Sequence, residues 1–214
     1  MTSPQANLPP LRAGAVTLVD TFVPRADGQT AQVVRDVLLI VAGAALTALA
    51  AQVSFTIGSN PVPYTLQTAA VLVTGTALGA GRGFASMVLY VAAGALGMGV
   101  FADGRSGLGA ETGGSLAPTI GYLFAFIVAA TLCGRLAQRQ WERTRTGAFL
   151  LMLLGSFVIY LIGVPILYLV SGMAFSEAVY WGAIVFIPWD LAKVAVATFA
   201  FPFAWRLAGD KTGE

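Results

Sequence analysis

Residues 186–206 read FIPWDLAKVAVATFAFPFAWR, an apolar run with only one acidic and one basic residue before Arg206. Its length suits a membrane-crossing helix, which needs about 20 predominantly apolar residues. Asp190 and Lys193 are three positions apart and therefore share one helix face. Because ionisable groups are costly inside a bilayer, this pair predicts a functional site. The alternative is a self-neutralising salt bridge that only positions the helix.

The whole chain has the composition of an integral membrane protein. Hydrophobic residues make up 57% of the 214 residues and charged residues only 10%, whereas a soluble domain carries roughly 25% charged residues. The charges fall in clusters, and the gaps between clusters can each hold one or two spans. These gaps are continuously apolar rather than alternating, which argues against a β-barrel. We therefore predict an all-α integral membrane protein.

Six transmembrane helices fit the pattern, and we predict one six-helix domain over residues 32–207. Residues 1–31 contain no apolar run and are expected to form a flexible cytoplasmic tail, with a second short tail at residues 208–214. The predicted spans are Val33–Val53, Tyr64–Ala80, Phe84–Val100, Pro118–Leu136, Ala148–Val170 and Pro188–Trp205.

The basic residues predict the orientation in the membrane. All lysines and arginines except Arg105 and Lys193 fall on one side of the six spans. The positive-inside rule then places both termini in the cytoplasm of a multi-pass cell-membrane protein. Lys193 and Arg206 are separated by roughly 20 Å of helix, so the charged pair is expected in the outer half of the membrane.

Two outer loops add candidate binding residues. Residues 101–117 read FADGRSGLGAETGGSLA, and this glycine-rich loop could fold over a small ligand or could be a plain flexible connector. Thr65 and Gln67 lie at the outer end of the second span. Because buried polar groups need partners, these two side chains could bind a ligand or could satisfy helix-end backbone groups.

The absence of certain residue types and motifs narrows the range of functions. The chain has no histidine, which excludes Ser-His and Cys-His catalysis and histidine-ligated metal sites. It has no G-x-x-x-x-G-K-[ST] phosphate loop, so it does not hydrolyse ATP by the usual route. No run of basic residues with aromatics indicates a nucleic-acid partner. We therefore predict no catalytic residue, no metal and no cofactor.

Six blocks follow one another along the chain: VPYTLQT (62–68), GRGFASMVLYVAAGALG (81–97), VFADGRSGLG (100–109), APTIGYL (117–123), YLIGVPIL (160–167) and FIPWDLAK (186–193). In this order they resemble the BioY family of biotin transporters, which are the substrate-binding S components of energy-coupling factor (ECF) transporters. The resemblance extends from about residue 35 to 206. The chain departs from the family's usual residues at Gly99, Asp103, Ile120 and Trp189.

The resemblance implies an S-component bundle of six helices around a biotin pocket that is open to the outside. It also implies separate partners that supply the energy, namely a transmembrane coupling protein and two ABC ATPase subunits. Together with the residues selected above, the candidate substrate-binding set is Thr65, Gln67, Phe101, Gly107, Tyr122, Tyr160, Asp190 and Lys193.

The chemistry of biotin suits these residue types. Asp190 could accept a hydrogen bond from a ureido N–H, and Lys193 could donate to the ureido carbonyl or pair with the valerate carboxylate. The sequence does not decide whether the ureido group or the carboxylate of biotin contacts Asp190 or Lys193. Phe101, Tyr122 and Tyr160 are expected to pack against the apolar rings.

The resemblance also implies docking onto the coupling protein through small residues of the first helix. Ala44 and Ala48 offer such a face, and ordinary packing within the chain is the alternative. Three other classes are weighed against a biotin S component: an S component for another vitamin, a membrane-embedded enzyme and a purely structural subunit. Measuring the binding of a panel of vitamins distinguishes an S component for another vitamin from a biotin S component.

Overall fold

The computed structural model describes residues 17–25, 27–58, 60–109 and 116–210, and most of them are helical. The helices are α1 (Leu18–Phe22), α2 (Gln29–Gln52), α3 (Gln67–Leu78), α4 (Ala80–Ala95), α5 (Ile120–Ala137), α6 (Arg145–Ser171), α7 (Phe175–Gly182) and α8 (Ile187–Asp210). Two short strands, β1 (Ser54–Phe55) and β2 (Tyr64–Thr65), pair antiparallel between α2 and α3.

Four helical stretches in the described ranges are long and apolar enough to cross a membrane. They are Gln29–Gln52, Ile120–Ala137, Arg145–Ser171 and the combined stretch Phe175–Ala208. The second and third predicted spans correspond to α3 and α4, which have 12 and 16 residues. At about 1.5 Å per residue both are shorter than a hydrocarbon core of about 30 Å. The all-α membrane fold agrees with the prediction, whereas the count of six spans stays a prediction.

Three elements were not predicted from the sequence: the β1–β2 hairpin, α7 and α1. The five residues of α1 lie in the range predicted as a flexible tail, whose first part, residues 1–16, is outside the described residues. At the other end, α8 continues to Asp210, and residues 211–214 of the second predicted tail are also outside them.

Helix α5 lies at the centre of the bundle and packs against α3, α4 and α6. Its buried face is rich in small side chains, and Ala125, Ala129, Ala130 and Cys133 are fully buried. Small residues allow helix backbones to approach closely, which compensates for the weak hydrophobic drive between helices in lipid. The core therefore centres on α5.

A buried ion-pair cluster fixes α1 to the bundle. The carboxylate of Asp20 lies 2.8 Å from Arg35 Nη2 of α2 and 3.0 Å from Arg82 Nη1 of α4. Burial alone would raise the pKa of the Asp20 carboxyl, but hydrogen bonds from Arg82 and Arg35 outweigh burial and hold that pKa well below its usual range. Three helices are thus joined at the end of the bundle that is predicted to face the cytoplasm.

Candidate functional site

A cavity of about 490 Å³ lies between the first turns of α3, α5 and α8, the middle of α6 and the loop after α4. A volume of this size is typical of small-molecule sites, which run from about 300 to 1,000 Å³. All eight candidate substrate-binding residues line it: Thr65, Gln67, Phe101, Gly107, Tyr122, Tyr160, Asp190 and Lys193. The structure thus brings together residues from five separate parts of the chain.

Asp190 and Lys193 form an ion pair in the cavity wall. Lys193 Nζ lies 2.8 Å from Asp190 Oδ1 and also donates to Thr68 Oγ1 at 2.7 Å. The Thr68 hydroxyl donates to Asp190 Oδ1 at 3.4 Å, and the Tyr160 hydroxyl donates to Asp190 Oδ2. Only 10% of the Asp190 side chain and 12% of the Lys193 side chain are exposed. This is a desolvated, hydrogen-bonded pair rather than a surface salt bridge.

Counting donors and acceptors shows what the pair can still offer to a ligand. An ammonium group has three N–H donors, and Lys193 uses two of them on Asp190 and Thr68 within the described residues. A carboxylate has about four acceptor positions, and Asp190 fills three with Lys193, Thr68 and Tyr160. One N–H of Lys193 and one acceptor position on Asp190 Oδ2 therefore remain available.

Aromatic side chains fix the start of α8 over the β1–β2 hairpin. The Tyr64 ring lies 4.5 Å from that of Phe186 and stacks on Phe55 at 5.1 Å, measured between ring centroids. Trp189 meets Phe55 edge-on at 5.7 Å, and its indole N–H donates to the Thr65 carbonyl at 3.2 Å. Such aromatic pairs contribute roughly 0.5–1.5 kcal/mol beyond their buried area. The hairpin and α8 therefore hold the charged pair in place.

Thr65 and Gln67 connect α3 to its neighbours. The Thr65 hydroxyl accepts from the backbone N–H of Gln67 at 3.2 Å, which is the helix-end role that the sequence left open for it. The Gln67 amide donates to the Tyr90 hydroxyl at 2.6 Å, and that hydroxyl donates to the Val100 carbonyl at 3.1 Å. The Gln67 side chain is buried, so this chain of hydrogen bonds fixes the amide at the cavity.

The described part of the glycine-rich loop is bonded to the bundle. Gly107 has φ +78°, a conformation that favours glycine, and its N–H donates to the Gly94 carbonyl at 2.7 Å. The Gln52 amide of α2 donates to the Phe101 carbonyl at 3.1 Å. Residues 101–109 therefore cover the cavity, whereas residues 110–115 lie outside the described part of the chain.

Tyr122 is held by α7. Its hydroxyl donates to the Gly182 carbonyl at 2.7 Å, and 6% of the residue is exposed. Among the other residues that line the cavity, sequence reasoning did not select Thr68, Phe126 and Phe186. Thr68 and Phe186 lie within sequence blocks quoted above, so the blocks were a usable signal, whereas Phe126 lies outside them.

Ala44 and Ala48 lie on α2 at a distance from this cavity. Ala44 is buried within the chain, and Ala48 is partly buried against the core. The surface of α2 that is most exposed carries larger side chains, such as Leu38 and Leu49 at 64% and 69% exposure. For Ala44, packing within the chain is therefore the role that the geometry supports.

Comparison with known proteins gives consistent matches. The family model described as the BioY family matches residues 21–210. The "Probable biotin transporter BioY" of Pyrococcus horikoshii is 37% identical over 177 residues, which cover 82% of this chain and 98% of the relative. The "Biotin transporter BioY" of Rhizobium etli is 33% identical over 171 residues, or 76% of this chain and 89% of the relative.

One solved structure shares the fold. It is the crystal structure of the S component for biotin from an ECF-type ABC transporter, with a TM-score of 0.70 and 21% sequence identity. The superposition covers 84% of this chain and 95% of that chain. The bundle described here is therefore an S-component fold of a multi-pass membrane protein.

Proposed function

The chain belongs to the BioY family, and on that premise we propose that it captures biotin outside the cell as the S component of an ECF transporter. The observation that carries the proposal is the buried Asp190–Lys193 pair in the wall of a cavity of about 490 Å³. An ionisable pair inside a membrane segment is costly, and such pairs commonly mark substrate or ion sites.

The free hydrogen-bonding positions of the pair suit the ureido ring of biotin. In a cyclic urea an N–H and the C=O lie next to each other on one edge. Asp190 and Lys193, which are bonded to each other, likewise offer one remaining acceptor and one remaining donor. Two charge-assisted hydrogen bonds would form, each roughly twice as strong as a neutral one. A carboxylate, which only accepts, would use the lysine and repel the aspartate, so we assign the ureido end to this pair.

The rest of the ligand would lie along the aromatic wall and the loop. Phe101, Tyr122 and Tyr160 line the same cavity and supply the apolar surface for the thioether ring. Arg105, which is paired with Asp103 at 3.3 Å, lies in the loop that lines the cavity and supplies positive charge on the side of the valerate carboxylate. Fixed polar groups in a mostly apolar pocket are typical of selective small-molecule sites.

We propose that the energy for release inside comes from a separate coupling protein with two ATPase subunits. The chain has no phosphate loop of its own, which agrees with an external source. For docking, the exposed side of α2 around Leu38 and Leu49 offers more accessible surface than Ala44. Ala48 is partly buried and lies on α2 between Ala44 and this exposed side. It stays part of the proposed contact with the coupling protein.

The test is a calorimetric titration of the purified chain in detergent with biotin, with desthiobiotin and riboflavin for comparison. We expect saturable biotin binding that weakens at least about ten-fold in Asp190→Ala, or about 1.4 kcal/mol. Asp36→Ala, at the far end of α2, is the control and should bind as the unmodified chain does. A well-folded sample that binds riboflavin but not biotin would refute the substrate, and full affinity in Asp190→Ala would refute the site.

A further inference from the structure

Three exposed arginines surround the C-terminal part of α8, at the end predicted to face the cytoplasm. They are Arg143, Arg145 and Arg206. The Arg143 guanidinium lies over the Trp205 ring, 4.1 Å from its centroid, and that of Arg145 lies 5.2 Å from the centroid of Phe199. Within the described residues none of the three forms a salt bridge. The guanidinium groups of Arg143 and Arg145 are thus oriented by aromatic rings.

Two hollows meet at these arginines. The larger, about 710 Å³, is lined by Thr21, Arg143 and Thr144 among others. The smaller, about 310 Å³, has an apolar wall of Phe199, Ala200 and Phe203. Arg145, Pro202 and Arg206 line both hollows. Two arginine side chains therefore lie where the hollows meet, with the phenyl rings of Phe199 and Phe203 on one side.

The apolar hollow lies on a membrane-crossing stretch. Phe199 is 58% exposed and Phe203 is 61% exposed, and both belong to a helical stretch that is long and apolar enough to span a bilayer. Side chains this exposed on such a helix face lipid. The larger hollow lies one turn further towards the end of α8, where the headgroup region would be.

We propose that Arg145 and Arg206 bind the phosphate of an anionic phospholipid, one acyl chain of which lies along Phe199 and Phe203. The planar guanidinium group forms paired hydrogen bonds with phosphate oxygens. The positive hollow and the phosphate are complementary in charge, and the apolar wall favours a lipid over an acidic protein segment. This site is separate from the biotin cavity and does not depend on which vitamin the chain binds.

The test measures lipid binding to the full chain in detergent by native mass spectrometry. Phosphatidylglycerol and phosphatidylcholine with identical acyl chains are the two probes. Phosphatidylglycerol should bind saturably and more tightly than phosphatidylcholine. Because each arginine near an anionic headgroup contributes roughly 1 kcal/mol, the double variant R145Q/R206Q should bind phosphatidylglycerol on the order of thirty-fold more weakly. Glycerol phosphate, which has no acyl chain, should compete poorly.

The matched control is R135Q/R139Q, which removes the same charge from exposed positions on the same side but outside both hollows. It should keep full phosphatidylglycerol binding. A second variant, R145K/R206K, keeps the charge but loses the planar fork, and should bind several-fold more weakly. Circular dichroism and size-exclusion chromatography check that each variant is folded.

Three outcomes would overturn the proposal. Equal weakening in both glutamine variants would mean that only the diffuse positive charge matters. Equal binding of the two lipids would mean that the headgroup is not recognised. Unchanged lipid binding in R145Q/R206Q, with loss of assembly with a coupling protein, would mean that this surface contacts protein instead.

Discussion

Gly94 and Phe101 are packed so closely that a Cβ atom at position 94 would lie 2.1 Å from Cζ of the Phe101 ring. The ring also meets Tyr90 edge-on, with 5.5 Å between ring centroids, so it has little freedom to retreat. We expect Gly94→Ala to displace Phe101 and to weaken biotin binding at least about ten-fold. Calorimetry on the purified variant measures this effect.

Gly81→Ala is the matched control, because it makes the same change in the same helix. An added Cβ there meets no atom within 4 Å. It should leave biotin affinity unchanged and could stabilise the protein by about 0.5–1 kcal/mol through helix propensity. If both alanine variants bound biotin equally well, the contact between Gly94 and Phe101 would have no role in shaping the site.

Tyr160→Phe should weaken biotin binding, because the hydroxyl of Tyr160 orients Asp190 by donating to Oδ2. A hydrogen bond to a charged group contributes about 1.5–3 kcal/mol, so a loss of roughly ten-fold or more is expected, measured by calorimetry. Tyr168→Phe in the same helix is the control, since Tyr168 is 41% exposed and does not line the cavity. Equal affinity of the two variants would contradict the role assigned to Tyr160.

Asp20→Asn should destabilise the protein by roughly 3 kcal/mol at neutral pH, because it leaves two arginines without their shared buried partner. Asp36→Asn is the control. Asp36 contacts the same two arginines at 3.2 Å, but its side chain is 38% exposed, so a change below about 1 kcal/mol is expected. Thermal unfolding in detergent compares the two variants.

The effect of Asp20→Asn should also depend on pH. The pKa of Asp20 is lowered in the folded protein, so the carboxylate contributes its full stability above the pKa of the unfolded chain, about 3.9. That contribution is lost as pH falls from there through the lower folded pKa. The difference in melting temperature between the unmodified chain and Asp20→Asn should therefore shrink below about pH 4. A difference that stayed constant to pH 3 would contradict this assignment.

Glu142→Gln should stabilise the protein at alkaline pH. Glu142 lies in the short 3₁₀ turn between α5 and α6, where it is 1% exposed and its Oε2 has no partner within the described residues. Burial raises the pKa of its carboxyl, although Arg143 and the Trp205 indole N–H offset part of the shift. Because the folded pKa is raised, the stability from this group is present at low pH and is lost as pH rises through that pKa.

The glutamine variant removes this loss, so its melting temperature should exceed that of the unmodified chain at pH 8 but not at pH 4. Glu177→Gln at the exposed start of α7 is the control and should show no such pH-dependent gain. A Glu142→Gln variant that is less stable at both pH values would show that the carboxylate itself is needed.

The sequence predicted much of the candidate site because its residues lie in short local patterns. Asp190 and Lys193 are one helix turn apart, so their pairing follows from the spacing alone. Gln67 and Phe101 lie in blocks that a family resemblance can mark. The contact between Thr68 and Asp190 joins α3 to α8, and no local periodicity reports a pairing over such a distance.

The features that the sequence did not predict depend on tertiary contacts. Helix α1 has five residues, too few to be stable alone, and Asp20 is fixed by arginines from two other helices. The two-residue strands β1 and β2 are equally short, and the stacked rings of Phe55 and Tyr64 hold them together. Pro165 and Pro202 lie inside α6 and α8 without ending them, although proline in a sequence usually signals a helix end.

The Asp190–Lys193 pair has an electrical consequence. As an ion pair it has no net charge, so the pair itself does no electrical work if it moves through the membrane field. Biotin adds the negative charge of its carboxylate. Carrying that charge inwards against an inside-negative potential costs roughly 2.3 kcal/mol per 100 mV. Inward transfer of bound biotin should therefore depend on voltage and slow on hyperpolarisation, whereas the Asp190–Lys193 pair adds no voltage dependence of its own.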